Sequence, residues 1–256
     1  MNEPQHHMVL FHHAGGNASA MNAIARRFSP QFDTMLMEMP GRGRRRQEEL
    51  MRDAGRIVDD FASRIPTQGR LILVGHSLGA YMAYLLAGYC RSRTPDRDIV
   101  LVAMSNDPIH CRRHFPWLEL NLESQQAIWR FATQLGELPD WLMQDDVLRQ
   151  QFIQVLAADL DVANSIQPES TCPLEDVPLL VIYGENDPYL PFAPSRWREC
   201  TSGIYRMESV PGGHFIQSEQ EQDIYDIILR FISDVDVNRK DNYTLNNSSC
   251  RKAATE

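Results

Sequence analysis

At 256 residues the chain is long enough for one large domain or two small ones, and long enough to bury a full core. Apolar residues at 43% and charged residues at 23% are those of an ordinary globular protein, which excludes a disordered polymer and a repeat fibre. Twenty-five Lys and Arg against 34 Asp and Glu leave a net charge of −9, and a net-negative body is repelled by phosphate backbones and anionic lipid, so neither nucleic acid nor membrane is expected as a partner.

The first apolar run, His7–Phe11, is bounded by turn residues and too short for a typical helix, so it reads as a strand. The same reading holds for Thr34–Met39, Leu71–Gly75, Ile99–Ser105, Pro178–Gly184 and Ile204–Ser209; these runs are mostly continuous, as strands buried on both faces must be. Between them the apolar spacing is helical, with Leu50, Met51, Ile57, Val58 and Phe61 in Glu48–Ile65, and Leu78, Met82, Leu85 and Leu86 in Ser77–Cys90. Such alternation predicts an α/β fold, a mostly parallel sheet with helices on both faces. It breaks between Asp107 and about Gln167, where Ile128, Phe131, Ala132 and Leu135, then Leu148, Phe152, Val155 and Leu156, mark two helices with no strand pattern between them. A helical insertion at this point is either a lid over an active site or a pair of helices packed on the sheet edge.

Near the end of the domain, Ser218 followed three residues later by Glu221 fits a capping box, and Ile224, Ile228 and Phe231 then line one helix face. Residues 236–256 hold too few apolar groups to offset the entropy of ordering and read as a mobile tail on a domain of residues 1–235. The sequons there, such as Asn242-Tyr243-Thr244, lack a secretory context. Cys90, Cys111, Cys172, Cys200 and Cys250 are odd in number and widely spaced with no C-x-x-C pair, so they read as free thiols in a reducing compartment. The polar N-terminal residues carry no secretory apolar region, and no stretch of 18 apolar residues occurs; the expectation is a soluble cytoplasmic protein.

The chemistry concentrates in the loops after the strands. Gly75-His76-Ser77-Leu78-Gly79-Ala80 follows Leu71-Ile72-Leu73-Val74 directly and opens a helical pattern. A nucleophilic serine needs such a strained strand-to-helix turn, with glycines that let backbone and helix approach closely. The helix dipole and the free N–H groups at its start favour negative charge beside the Ser77 hydroxyl. The serine needs a base, and the base an orienting carboxylate. Of eight histidines, His214 lies in the turn Pro211-Gly212-Gly213-His214-Phe215, after the last strand and before the last helix, where it can reach across the sheet's C-terminal rim. His6, His7, His12, His13, His110 and His114 are N-terminal or in the insertion, and His76 points away inside the elbow; all of these read as structural or solvated. Two carboxylates compete for the acid: Asp187, just past its strand in Gly184-Glu185-Asn186-Asp187-Pro188, and Asp107, just past Ile99–Ser105. Asp187 is preferred, and the chain order Ser, Asp, His then agrees with that of α/β-hydrolases. A tetrahedral oxyanion needs two donors. One is expected from the Leu78 N–H, and the other from the loop Phe11-His12-His13-Ala14-Gly15-Gly16-Asn17, with Ala14 chosen and His13 next; the plainer reading of that loop is a tight turn.

Taken together, Phe11-His12-His13-Ala14-Gly15-Gly16, Pro40-Gly41-Arg42-Gly43-Arg44-Arg45, the Ser77 elbow, Gly184-Glu185-Asn186-Asp187 and Pro211-Gly212-Gly213-His214-Phe215 resemble one family: the type II thioesterases that accompany nonribosomal peptide and polyketide synthases. The insertion is similar too, in Leu135-Gly136-Glu137-Leu138-Pro139 and Leu156-Ala157-Ala158-Asp159-Leu160. His12 stands where proline is commoner in the family, and the segment after 235 has no counterpart. The resemblance implies an α/β-hydrolase fold with a helical lid and hydrolysis of acyl thioesters on the phosphopantetheine arm of carrier proteins. It implies no metal or organic cofactor, carrier proteins and small acyl thioesters as partners, and a monomer. His13, Phe115, Trp117, Trp129, Phe131 and Trp141 are candidates for an acyl pocket, with ordinary core as the other reading of the aromatic residues. Arg42, Arg44, Arg45 and Arg46, or Arg112 and Arg113, are expected to form a positive patch for an acidic carrier or its phosphate, unless they are a solvated loop. The alternatives are a medium-chain acyl-carrier or acyl-coenzyme A thioesterase, a general carboxylesterase, and a non-catalytic binding protein of hydrolase fold.

Overall fold

The computed structural model describes residues 6–115, 121–136, 138–167, 171–190 and 194–253, with side chains described at all of these except 122 and 241–253. Trp117 and Glu137 lie outside the described residues. Six strands, β1 (His6–Phe11), β2 (Asp33–Met37), β3 (Arg70–His76), β4 (Ile99–Met104), β5 (Leu179–Gly184) and β6 (Tyr205–Val210), form one sheet in the order β2-β1-β3-β4-β5-β6. Every neighbouring pair is parallel. All six apolar runs of the sequence are strands. The winding reverses between β1 and β3, so the loops leaving their C-terminal ends part to opposite faces and open a crevice there.

Both faces of the sheet are covered, which is why the central strands carry no polar alternation. Helix α1 (Asn22–Phe28) and the last helix, α8 (Glu221–Ala253), pack one face through Ile24, Phe28, Ile224, Ile228 and Phe231. Helices α2 (Ala54–Ala62) and α3 (Leu78–Arg93) pack the other through Ile57, Phe61, Met82 and Leu86. Helix α1 carries its own apolar spacing at Ile24, Ala25 and Phe28, but over only seven residues. Helix α2 starts later than the expected Glu48, because Asp53 caps it by accepting from the Arg56 N–H.

The insertion is entirely helical among the described residues. It comprises α4 (Leu122–Leu135), a short α5 (Asp140–Gln144) and α6 (Asp146–Ser165), one helix more than the spacing predicted. Ile128, Ala132, Ile153, Leu156 and Leu160 join the core on the α2 and α3 side, so these helices share the sheet's core and are more than an edge ornament.

One expectation near the C-terminus is corrected. Ser218 sits inside the short helix α7 (Ile216–Glu219) and its hydroxyl donates to the Phe215 carbonyl, while α8 begins at Glu221, so the capping-box reading does not describe this start. The segment expected to be a mobile tail from 236 continues α8 as far as Ala253. At the start of this stretch Asp236 pairs with the buried Arg70 of β3 at 2.7 Å, and Arg239 pairs with Asp98. Among the described residues, no helix is long and apolar enough to cross a membrane.

At the centre of the fold the start of α3 touches the end of β1 backbone to backbone. A Cβ on Gly79 would collide with the Phe11 carbonyl and stand 2.8 Å from the His12 carbonyl oxygen. Gly79→Ala is therefore expected to lower the unfolding free energy by about 1–3 kcal/mol or more. A urea titration reads this as a lower midpoint at unchanged slope; an unchanged midpoint would mean that α3 and β1 can part freely.

Candidate active site

Ser77 lies between β3 and α3 with φ 55° and ψ −121°, a conformation that is costly for a residue with a side chain. Its surroundings impose it. The Ser77 N–H donates to the Met104 carbonyl at 2.8 Å, and the Ser77 carbonyl accepts from Asn106 Nδ2 at 2.7 Å and from the Ala80 N–H at 2.8 Å. Gly75 is required because the Gly79 and Ala80 backbone occupies the space where its Cβ would stand. The hydroxyl is thereby placed at the C-terminal rim of the sheet, at the start of a 16-residue helix.

His214 arrives from the loop after β6, which is tied to the end of β5. The Glu185 N–H donates to the Val210 carbonyl, the Asn186 N–H to the Gly212 carbonyl, and the Gly213 carbonyl packs where Gly184 would carry a Cβ. His214 Nδ1 lies 2.9 Å from Asp187 Oδ2, and its Nε2 lies 3.1 Å from Ser77 Oγ. An ionised carboxylate only accepts, so Nδ1 carries the proton and Nε2 is left to accept from the serine. The other Asp187 oxygen, Oδ1, accepts from the Tyr189 N–H at 2.8 Å, and the side chains of His214 and Asp187 are closed to solvent. Asp107, the rival acid, is buried beside Asn106, which supplies the oxygen for its N–H; the carboxylate on His214 is that of Asp187.

Histidine crowds this centre. His76 is fully buried, and its Nε2–H donates to the His214 carbonyl at 2.7 Å, tying the elbow strand to the His214 loop. Burial first, and then the neighbouring His214, push His76 well below the usual imidazole range. His12 donates from Nδ1 to the His13 carbonyl at 2.8 Å; burial, with the Arg42 guanidinium second, pushes its pKa down to about 3. His13 stacks edge-on against His76 and Phe215.

Around Ser77 lies a small cavity of about 30 Å³, room for a water or two and too little for an acyl chain. His13, Ala14, Leu78, Phe115, Phe131 and Asp159 are among its walls. Tyr189, two residues past Asp187, also lines it with its ring 5.3 Å from that of His214; sequence reasoning missed it because the residue has no spacing signal of its own. The other two aromatic candidates that are described stand outside. Trp141 is 57% exposed on α5 and lines an adjoining groove of about 340 Å³ instead, and Trp129 packs on Phe152. That groove shares His13, Ala14, Leu135 and Phe215 with the Ser77 cavity. A larger groove, about 620 Å³ between α2 and α3, holds none of these residues, so volume alone does not locate the site.

Half of the expected arginine patch is spent inside the protein. Arg42 is buried in a bidentate pair with Asp159, Arg45 pairs with Asp60 and Glu48, and Arg112 donates to the Asn164 and Ile166 carbonyls. Arg44 and Arg46 are exposed, as is Arg113, whose guanidinium lies over the Tyr189 ring at 4.7 Å. No cluster of three or more His, Cys, Asp or Glu able to hold a metal ion occurs among the described residues.

The neutral burial of His12 and His76 gives the fold a pH dependence with a definite sign. Unfolded, each binds a proton near pH 6.5; folded, His12 binds one only near 3 and His76 well below 6.5. The unfolded state thus holds more protons below pH 6.5, and stability falls as pH drops from there towards 3, by about 1.4 kcal/mol per pH unit for each such histidine. Urea titrations between pH 7 and pH 4 should show this slope, and His12→Asn should reduce it by about one proton's worth.

Comparison with known proteins identifies the family. The thioesterase domain family matches residues 6–235. A probable cadicidin biosynthesis thioesterase of Streptomyces griseus is 26% identical over 83% of this chain, which spans only 58% of that relative's own length. Thioesterase PikA5 of Streptomyces venezuelae is 25% identical over 85% of this chain and 77% of its own. Among solved structures, the RedJ thioesterase from the prodiginine pathway of Streptomyces coelicolor superposes with a TM-score of 0.75 at 24% identity, covering 87% of this chain and 88% of its own. The chain belongs to the thioesterase domain family and is a thioester hydrolase on an α/β-hydrolase scaffold.

Proposed function

We propose that the protein releases acyl groups from the phosphopantetheine thioesters of carrier proteins through a covalent Ser77 intermediate. The observation that carries this is the double contact of His214, which reaches Ser77 Oγ at 3.1 Å and Asp187 at 2.9 Å. Ser77 attacks the thioester carbonyl as His214 Nε2 takes its proton, and the proton then passes to the departing thiolate sulfur. Water, deprotonated by the same imidazole, hydrolyses the acyl-serine and restores the hydroxyl. Asp187 keeps Nδ1 protonated throughout and stabilises the imidazolium. The oxyanion sits between the Leu78 N–H at the start of α3 and the Ala14 N–H. Within that loop, the Gly15 N–H is already given to Asp159 and the Gly16 N–H to the His13 carbonyl, which supports Ala14 as the donor.

Helices α4 to α6 act as a lid in this reading. With about 30 Å³ at Ser77 the structure is closed, and the acyl chain would extend into the adjoining groove once Phe131 and Leu135 of α4 give way. The pathway names of the relatives support substrates held on biosynthetic assembly lines. The fit to a carrier is local. Arg113, exposed over Tyr189 at the edge of the cavity, is the cation placed to meet the phosphate of an incoming arm.

Four measurements test the reading. Ser77→Ala should abolish release of an acyl group loaded on a carrier protein, by about 10⁴-fold or more, and Asp187→Asn should reduce kcat by roughly 10²–10⁴-fold. If Asp107→Asn is the dead variant and Asp187→Asn is active, the acid has been misassigned. Arg113→Glu should slow hydrolysis of the carrier-bound thioester several-fold and leave a small acyl thioester untouched; equal effects on both would remove the phosphate contact. Comparing oxygen esters, acyl-coenzyme A and acyl-carrier substrates separates the proposal from a carboxylesterase or a medium-chain thioesterase.

A further inference from the structure

The loop that carries Ala14 has no regular structure up to its first 3-10 turn at Ala18–Met21. Two charged side chains from distant parts of the chain hold it. Arg42 Nη1 lies 2.5 Å from Asp159 Oδ2 and Nη2 lies 2.6 Å from Oδ1, with both side chains at least 95% buried. The same Oδ2 accepts the Gly15 N–H at 2.7 Å, and Arg42 Nη1 also points to the Gly16 carbonyl at 3.4 Å. Two consecutive residues beside Ala14 are therefore gripped, one by each member of the ion pair. The backbone at Gly15 has φ 75°, and a Cβ there would stand 2.9 Å from the Phe152 ring of α6, so the loop is moulded directly onto that helix.

Burial of this kind is expensive unless it accomplishes something, because apolar residues of similar volume are often as stable as a buried ion pair. Here both carboxylate oxygens of Asp159 are engaged, and neither member of the pair faces solvent as a binding patch. Asp159 belongs to the helical insertion, whereas Arg42 and Gly15 belong to the body of the domain. We propose that Arg42 and Asp159 are positioning residues that couple the seating of α6 to the oxyanion hole. With α6 seated, Asp159 anchors Gly15 and sets the neighbouring Ala14 N–H; when α6 shifts, the anchor is lost and the hole is incomplete. The enzyme thereby stabilises the oxyanion only while α6 is seated, whereas the room for the acyl chain comes from α4. The inference rests on the reading of Ser77 as nucleophile and Ala14 as donor.

Two double variants separate this role from plain structural support. Arg42→Met with Asp159→Asn keeps a carbonyl oxygen to which Gly15 can donate; Arg42→Met with Asp159→Leu has the same volume and offers none. Both lack the ion pair. With a small acyl thioester, the Leu variant should have at least tenfold lower kcat than the Asn variant at similar KM, and fluorophosphonate labelling of Ser77 should slow in step, since that reaction uses the same two donors. Equal kcat in two variants of equal Tm would overturn the coupling. Should either variant fail to fold, amide hydrogen exchange on the unaltered protein decides: the Gly15 amide should exchange together with the amides of α6, and free exchange at Gly15 beside a protected α6 would overturn it. Ser77→Ala serves as the control for the underlying reading. If it still turns over, the nucleophile is wrong; if it is dead while the double variants match, only the coupling fails.

Discussion

The site depends on one strained residue. A serine held at φ 55° costs about 1–3 kcal/mol of backbone strain, and it persists because its neighbours leave it no other conformation. The strand before it is locked between β1 and β4, the helix after it is packed against β1 at Gly79, and Asn106 and Met104 bind its peptide groups from the next strand. The same turn starts α3 at Leu78 directly after Ser77, so in the proposed reaction nucleophile and anion stabiliser would have a single structural origin.

Everything else at the rim converges on that point through loops, and each loop is tied down by polar contacts because it has little secondary structure of its own. The His214 loop is bonded to the β5 loop and to His76. The loop after β1 is clamped by Arg42 and Asp159, and Glu38 accepts from the Ala18 N–H at its far end. In a site this dry, an unpaired charge is costly, with removal of one partner of a buried pair worth about 3–5 kcal/mol. The protein accordingly keeps its extra imidazoles neutral and engages both oxygens of Asp159 and of Asp187. His12 fits this pattern: its imidazole is buried and donates to the next residue's carbonyl.

Much of this was legible in the chain before folding was considered. The six strands announce themselves because a strand covered on both faces must be apolar throughout, and the elbow does so because only glycine satisfies two backbone approaches four residues apart. Polar features were read less well. Arg42 looked like part of a surface patch because a run of arginines in a glycine-rich loop carries no sign of which one turns inward; its partner lies 117 residues away in α6. Trp141, expected at an acyl pocket, lines the groove beside the Ser77 cavity and is absent from that cavity's walls, because helical spacing gives a direction relative to its own helix and says nothing about what stands opposite. Just past Val235, Asp236 and Arg239 of α8 pair with Arg70 and Asp98, contacts that no local count of apolar groups includes.

By itself, then, the sequence determined the periodic features: which segments are strands, which helices cover them, where the elbow is, and which histidine and acids stand at the rim. These follow from local backbone preference and from burial, both of which act over a few residues. The tertiary structure alone set Asp187 rather than Asp107 against His214, turned Arg42 inward, put Tyr189 beside His214 and placed Trp141 in the groove next to the Ser77 cavity. Those outcomes depend on distances between side chains from different loops, set only when the strands pair in register and the α4 to α6 helices close over the sheet's edge.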